Sequence, residues 1–461
     1  MMQTDMSTAT PSNNAPSSHP VLLGAWYGLA TLILASICGN SVMQVMALLT
    51  EPLKQELSLS DTEIGALRGL GATLVVALAS YPIGWLADRI DRRRIFAVCI
   101  FIWCAATAAS GLARDYEMLF VFAMGISVGE AVLGPVTYSL IPDLFPPERR
   151  MLANSIFFVS QLLGYAVGLA LGGLLIGAVE RSHAALPAAL ASLSTWRIVF
   201  ILVALPGIVL IPMMLAIPLR EAARADSGAG TAAPGEHGGL LAYCRAHVRT
   251  LLSMFAGFGA IGAANFTVFG WIAVAIVRMF GATPAEVGVT LGQVFAVGSV
   301  LGVTAANLLA KRLARRDADA APVRVAELGA LTALAFSLLY LVATTPTQFY
   351  VIATFQIAAS FGGLALSPTV NQGIAPARIR ARMMALGGMF YIAFGALSPL
   401  VVGIISDALG PEPRNLLTAM MLVAVPGFVG GALLLRFGEG TLRRTMDSVK
   451  ADDAAFMARL E

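Results

Sequence analysis

The chain has 461 residues, of which 57% are hydrophobic and only 12% are charged. Soluble domains carry about 25% charged residues, so a soluble enzyme with an ordinary polar surface is excluded. The net charge is only +3, and the basic residues lie in short clusters between apolar segments, which argues against nucleic-acid binding.

The chain begins with a polar segment, residues 1–20, that is rich in Ser, Thr, Asn and Pro. This segment contains no Lys or Arg, so it lacks the basic start of a secretory signal peptide. We expect it to be a disordered tail, and we expect the apolar segment after it to be retained as a membrane helix.

Twelve apolar segments follow, and each is long enough to cross about 30 Å of hydrocarbon as a helix. They predict an all-α membrane protein. The predicted spans 1 to 12 cover residues 21–49, 62–87, 95–113, 117–141, 151–178, 196–218, 249–277, 286–310, 323–344, 348–372, 383–408 and 415–436.

The longest connection between spans falls after span 6. Residues 219–248 contain a Gly-, Ala-, Ser- and Pro-rich piece of linker composition. We therefore predict an N-terminal six-helix bundle over 21–218, a C-terminal bundle over 249–436, and a cytoplasmic tail over 437–461.

An internal repeat supports this division into halves. Residues 84–93 read GWLADRIDRR and follow span 2, whereas residues 307–316 read NLLAKRLARR and follow span 8. The two segments align without a gap. Pseudo-symmetric six-span halves are typical of transporters whose substrate site lies near the membrane midplane between them.

The basic residues also predict an orientation. Most of the 30 Lys and Arg residues lie in the segments after spans 2, 4, 6, 8 and 10 and in the tail after span 12. Basic segments stay in the cytoplasm. We therefore expect an inner-membrane (plasma-membrane) protein with both termini in the cytoplasm.

The sequence after span 2 resembles a known family. Twelve spans in two halves, with Gly84-x-x-x-Asp88-Arg89-x-x-Arg92-Arg93 after span 2, resemble the major facilitator superfamily. The resemblance covers the whole chain, and it implies a transporter that works by alternating access.

Four further motifs in the first half resemble the spinster-like branch of that superfamily. They are Ser60-Asp61-Thr62-x-x-Gly65, Gly129-Glu130-Ala131-x-x-x-Pro135, Asp143-Leu-Phe-Pro-Pro-Glu148-Arg149-Arg150 and Trp196-Arg197-x-x-Phe200. The branch usually carries an Asp-Arg pair where this chain has Val42 and Met43, and an Arg where it has Ala123. Of that charged cluster only Glu130 is present.

Glu130 is the main candidate for the mechanism. It lies near the middle of span 4, where an ionised side chain costs at least a few kcal/mol, and no Lys, Arg or His lies in the middle of another span. We expect it to carry a proton or to bind a cationic substrate group. The alternative is a structural, permanently protonated side chain bonded to a carbonyl. Another acid, Asp407, lies near the outer end of span 11, where we expect it to reach interfacial water.

Neutral polar residues recur at helical spacing within several spans. They predict either the wall of a substrate cavity or hydrogen bonds that hold helices together. The candidate cavity residues are Asn40, Gln44, Asn265, Gln356 and Asn371.

The motif after span 2 suggests a latch at the cytoplasmic gate. A carboxylate there can bind the positively polarised start of a helix in the other half, and the resemblance implies the start of span 11. We expect Asp88, with Arg89 and Arg92, to hold the gate shut. The alternative is that the arginines only set the topology.

We therefore predict a secondary transporter for a small organic, amphipathic or lipid-like solute that acts as a monomer among membrane lipids. A receptor or lipid-binding protein that keeps the fold but has lost transport is the alternative, motivated by the missing charged cluster. No phosphate-binding GxxxxGK[ST] motif, CxxC pair or catalytic triad is present. We expect no enzymatic activity, no cofactor, no metal and no nucleic-acid partner.

Overall fold

A computed structural model describes residues 22–87, 89–185, 187, 191–218, 237–376 and 379–457. Within these ranges the regular structure is helical and contains no strand. Eleven helices are long and apolar enough to cross a membrane. We keep the span numbers for them: Leu22–Leu48 (span 1), Asp61–Ala87 (2), Arg92–Ser110 (3), Pro147–Ser182 (5), Thr195–Leu215 (6), Val248–Phe280 (7), Pro284–Ala314 (8), Ala321–Leu339 (9), Pro346–Gly373 (10), Arg380–Leu409 (11) and Pro413–Met457 (12).

Span 4 is divided into two helices, Tyr116–Glu130 and Pro135–Leu144. Pro135 has no backbone N–H that could bond to the Ala131 carbonyl, and the backbone leaves the helix between Glu130 and Pro135. The first helix therefore ends at Glu130, in the middle of the predicted span.

Span 2 changes its winding over Leu67–Leu74, where the backbone forms a π-helix. Wider turns of this kind are rare and occur frequently at functional sites. The π-helical segment contains Arg68 and Gly69, which both face the C-terminal half.

Two apolar clusters form the core. One lies within the N-terminal half and includes Trp103 and Phe157, whereas the larger one includes Trp271 and Phe428 of the C-terminal half together with residues of the N-terminal half such as Trp196. Because lipid supplies no hydrophobic driving force between helices, the close packing of these side chains stabilises the association of the helices.

The two halves touch at one end. A Cβ atom on Gly65 would lie 2.4 Å from the Pro399 carbonyl oxygen, and one on Gly69 would lie 2.1 Å from the Ala396 carbonyl oxygen. Spans 2 and 11 therefore pack backbone against backbone there. We call this end, which carries the short helix Thr50–Leu57, the closed end.

The halves are separated at the other end. Tyr81 and Trp85 of span 2 are 82% and 48% exposed, and a Cβ on Gly388 of span 11 would meet no atom within 4 Å. We call this end, which carries Trp85, the open end.

The linker and tail are helical where the structure describes them. A helix over His237–Ala246 precedes span 7, and its Tyr243 hydroxyl donates a hydrogen bond to the Ile374 carbonyl at 2.7 Å. Span 12 continues as one helix to Met457, so it runs through most of the predicted tail.

Candidate functional site

A cavity of about 530 Å³ lies between the two halves. Its wall combines four ionisable or phenolic side chains with amides and a larger apolar surface. The residues that line it include Asn40, Met43, Gln44, Arg68, Val76, Glu130, Leu133, Gln161, Tyr165, Asn265, Phe266, Phe269, Gly270, Phe361, Tyr391 and Pro399.

Glu130 lies in this cavity wall at the end of the first helix of span 4. It is 8% exposed, and its Oε1 atom has no hydrogen-bond partner among the described residues. The helix dipole places negative polarity at this end, so burial and helix geometry both disfavour an ionised carboxylate. The break in span 4 thus creates a place where a proton can be held.

Asn265 of span 7 also lines the cavity. It is only 2% exposed, and neither its Oδ1 nor its Nδ2 atom has a hydrogen-bond partner among the described residues. Buried polar atoms are normally bonded. The amide therefore offers a donor and an acceptor that a solute or water can use.

Asn40 and Gln44 of span 1 line the cavity and are bonded to span 5. The Asn40 amide donates to the Gln161 Oε1 atom at 3.3 Å, and Gln44 forms a hydrogen bond with Tyr165. These two side chains therefore hold helices together as well as forming the wall.

Gln356 and Asn371 of span 10 lie outside this wall. The Gln356 amide donates to the Ser360 hydroxyl at 3.3 Å, and the Asn371 amide donates to the Ser367 hydroxyl at 3.5 Å. Both bonds are local to one helix, so the structure does not bring these residues together with Glu130.

Arg68 is a functional candidate that the sequence reasoning missed. It lies near one end of predicted span 2, away from the middle of the membrane. The structure instead places it in the cavity wall, where its Nη1 atom donates to the Gly270 carbonyl of span 7. Glu130 therefore shares its cavity with a cation, although no Lys, Arg or His lies in the middle of another span. The available signal was a lone Arg in an otherwise apolar span.

An aromatic cluster extends the cavity wall across the two halves. Tyr165 of span 5 stacks on Phe295 of span 8 with ring centroids 5.9 Å apart, and Phe269 stacks on Phe361 at 5.5 Å with nearly parallel planes. Such rings provide a flat apolar surface for the body of a solute.

Two of the predicted latch residues, Arg89 and Arg92, make contacts within the N-terminal half. Asp88 lies outside the described residues. The Arg89 guanidinium lies 3.6 Å from the centroid of the Trp85 ring, and Arg92 forms an ion pair with Asp143 at 2.6 Å. In this conformation neither arginine bridges to span 11, which agrees with the separation at the open end.

Ion pairs join the halves at the closed end. Asp61, at the start of span 2, accepts hydrogen bonds from both Lys54 and Arg278 at 2.6 Å and from Ser406 at 2.6 Å. Arg278 of span 7 also pairs with Glu51 at 2.5 Å. The Asp61 side chain is buried, so this network is shielded from water.

Asp407 of span 11 contributes a second contact across the halves. Its carboxylate accepts hydrogen bonds from the Asp61 N–H at 3.0 Å and from the Thr62 N–H at 2.7 Å. It therefore caps the start of a helix in the other half. Asp407 is exposed, as expected for a side chain that reaches water, and it makes this contact across the halves as well.

The Trp196-Arg197 motif has a separate role at the same end. The Glu56 carboxylate accepts hydrogen bonds from the Trp196 Nε1 atom at 2.6 Å and from the Arg197 Nε atom at 2.8 Å. Burial favours a higher pKa for Glu56, but the hydrogen bonds from Ser194, Arg197 and Trp196 outweigh it and lower the pKa below its ordinary value. The motif thus anchors the short helix Thr50–Leu57 to span 6.

Among the residues that the structure describes, no cluster of three or more His, Cys, Asp or Glu side chains is placed to hold a metal ion.

A family model of the Major Facilitator Superfamily matches residues 29–371. The chain belongs to the major facilitator superfamily. It is accordingly a membrane transporter protein and not an enzyme.

One relative of this superfamily protein agrees with that assignment. An "MFS-type efflux pump" of Mycolicibacterium smegmatis is 26% identical over 423 residues, which are 91% of this chain and 94% of that protein.

Solved structures share the fold. A bacterial homolog of the human lysosomal transporter Spinster, described as inward-facing and unoccupied, has a TM-score of 0.74 at 22% identity and covers 93% of this chain and 98% of its own. A D-xylose–proton symporter has a TM-score of 0.63 at 13% identity and covers 87% and 97%. At these identities the likeness shows the fold.

Proposed function

We propose that this protein is a secondary active transporter that moves a small organic or amphipathic solute across the inner membrane by alternating access, with Glu130 as its proton-binding residue. One observation carries the proposal: the cavity between the halves contains a buried carboxyl group with an unpartnered oxygen. The cavity is formed within a single chain, so a monomer suffices.

The contacts between the halves support alternating access. Ion pairs and a helix cap join the halves at the closed end, whereas span 2 is exposed at the open end. With both termini in the cytoplasm, as the basic residues predict, the open end faces inward. Polar contacts of this kind can break and form again during a cycle, because water replaces each partner.

The proposal is tested in proteoliposomes with a solute selected by thermal shift from a panel of organic acids, amphipathic amines and lysolipids. We expect the wild-type protein to exchange labelled solute and to accumulate it in response to a pH gradient. Glu130→Gln keeps the shape but cannot release a proton, so we expect it to retain exchange and lose at least about 90% of the pH-driven accumulation.

Glu117→Gln is the matched control, because Glu117 lies at the exposed start of the same helix as Glu130. It should behave as wild type. Wild-type accumulation by Glu130→Gln would remove Glu130 from the coupling mechanism. Binding without exchange in the wild-type protein would instead favour the receptor alternative.

A further inference from the structure

We propose that the solute is an organic monoanion, whose carboxylate binds Arg68 and whose apolar body lies against the aromatic wall of the cavity. This inference rests on the proposed function, because it names the class of solute for the same cavity. Arg68, Asn265 and the aromatic cluster carry it.

The first step is the incomplete bonding of Arg68. A guanidinium has five N–H donors, and the structure gives this one a hydrogen bond from Nη1 to the Gly270 carbonyl. No carboxylate of the described residues forms an ion pair with it, although seven other arginines are paired in this way: Arg92, Arg93, Arg197, Arg278, Arg324, Arg436 and Arg443. A cation inside the membrane without an anionic partner is costly. A carboxylate in the cavity would remove that cost and could accept two parallel hydrogen bonds.

The second step is the chemistry of the surrounding wall. Asn265 offers an unbonded N–H group and an unbonded oxygen, which can complete the hydrogen bonds of a carboxylate. Phe266, Phe269 and Phe361 line the same cavity, and they would enclose an apolar body. An amphipathic acid therefore fits both parts of the wall.

The third step is the charge balance between Arg68 and Glu130. The empty cavity is neutral when Glu130 is ionised, and the loaded cavity is neutral when an anion and a proton are both bound. An anion alone leaves an excess negative charge, and a proton alone leaves an excess positive charge. Each intermediate is disfavoured in a medium that solvates charge poorly. Proton and anion should therefore bind cooperatively.

Other ionisable groups do not change this balance near neutral pH. Tyr165 of span 5 and Tyr391 of span 11 share the cavity with Glu130, and both phenols are neutral there. Span 3, which packs against the helix that ends at Glu130, brings Cys99 and Cys104 nearby as buried or half-buried thiols. Spans 1 and 7 contribute amides to the same wall, and Cys38 of span 1 is a further half-buried thiol.

The test measures binding of 3-phenylpropionate and of its uncharged isostere, 3-phenylpropanamide, to the purified full chain by calorimetry. We expect the acid to bind at least about tenfold more tightly than the amide, because a charged hydrogen-bonded pair is stronger than a neutral one. Arg68→Gln should reduce the acid-to-amide ratio to about one, and Arg68→Lys should keep part of the preference. Arg114→Gln, at an exposed arginine outside the cavity, should leave the ratio unchanged.

The pH dependence tests the cooperativity. Between about pH 6 and about pH 8 the acid stays ionised, so any change in its affinity reports the protein. We expect wild-type affinity to fall severalfold as pH rises, and the affinity of Glu130→Gln to stay constant.

Three results would overturn the inference: equal affinity for acid and amide, a preference for the acid that survives in Arg68→Gln, or no saturable binding of the acid. Melting curves of each variant without ligand show whether it is folded. If Arg68→Gln does not fold, the acid-to-amide ratio of Arg68→Lys is compared with that of the wild type instead. Failure of the proposed function is a different result, since it appears as binding of the acid without exchange in proteoliposomes.

Discussion

At the scale of single residues, the site is defined by polar atoms that lack partners. Glu130 Oε1 and both polar atoms of Asn265 are buried and unbonded within the described residues. An unsatisfied buried group costs about 1–3 kcal/mol, so such groups persist where a bound solute or water satisfies them. The polar residues in the spans could either form the wall of a cavity or bond helices together. Asn265 has polar atoms available for a solute, whereas Asn40 and Gln44 also form hydrogen bonds between helices.

Asn265→Leu tests this distinction. The substitution keeps the size of the side chain and removes two unbonded polar atoms, so we expect thermal stability to stay the same or to rise slightly. Solute affinity should fall roughly tenfold, since one or two hydrogen bonds to the solute are lost.

Gln356→Leu is the control for Asn265→Leu, because Gln356 is also fully buried with an unbonded Oε1 atom but lies outside the cavity wall. It should leave solute affinity unchanged. A marked loss of stability in Asn265→Leu with normal affinity would assign Asn265 to helix packing instead.

At the scale of helices, the sequence predicted the positions of the eleven helices that are long and apolar enough to cross a membrane. It did not predict irregularities such as the division of span 4 into two helices. Hydropathy reports whether a segment prefers lipid, and it is insensitive to a break such as that at Gly134-Pro135, since proline is tolerated within membrane helices. Hydropathy also placed the end of span 12 at residue 436, where charged residues begin, but a helix can continue into water, and this one continues to Met457. Pairs such as Glu439 and Arg443, one turn apart at 3.3 Å, support the continuation.

The close approach of spans 2 and 11 depends on glycine. A methyl group at Gly69 would lie 2.1 Å from the Ala396 carbonyl oxygen, and neither backbone can move aside without separating the helices. We expect Gly69→Ala to destabilise this conformation by about 1–3 kcal/mol, as overpacking does, and to lower the melting temperature by several degrees.

Gly430→Ala is the matched control for Gly69→Ala, because an added methyl group there would meet no atom within 4 Å. It lies inside span 12, where alanine favours the helix, so its melting temperature should not fall. If both variants melted like the wild type, the backbone contact between spans 2 and 11 would not determine the stability of this conformation.

At the scale of the whole molecule, the sequence predicted two halves and a cavity but could not predict which end is closed. That depends on contacts between residues distant in the chain, such as Asp61 with Arg278 and Thr62 with Asp407. The cavity was predicted only in part for the same reason: Arg68 and Glu130 come from different helices. Neither residue type nor spacing within one span shows that they face a common space.

Asp407→Asn tests whether the helix cap holds the closed end. An amide has one acceptor oxygen, so it can keep a hydrogen bond from only one of the Asp61 and Thr62 N–H groups. It also carries no charge and loses the interaction with the helix dipole, which contributes about 0.3–1 kcal/mol and up to about 2 kcal/mol in partly buried sites. Asp407→Ala removes the cap entirely and should cost about 0.5–2 kcal/mol. We expect the population with a separated closed end to rise modestly in Asp407→Asn and by up to about thirtyfold in Asp407→Ala.

Spin labels at Arg114 and Glu412, exposed residues on opposite halves, can measure this population as a longer distance. Asp115→Ala is the control, since the Asp115 carboxylate caps a helix within one half by accepting a hydrogen bond from the Met118 N–H at 2.8 Å. Its loss should reduce stability without changing the distance distribution, because both conformations contain that cap. If Asp407→Ala and Asp115→Ala gave the same distribution as the wild type, the cap of Asp407 would be structural only. The ion pairs of Asp61 with Arg278 would then have to hold the closed end by themselves.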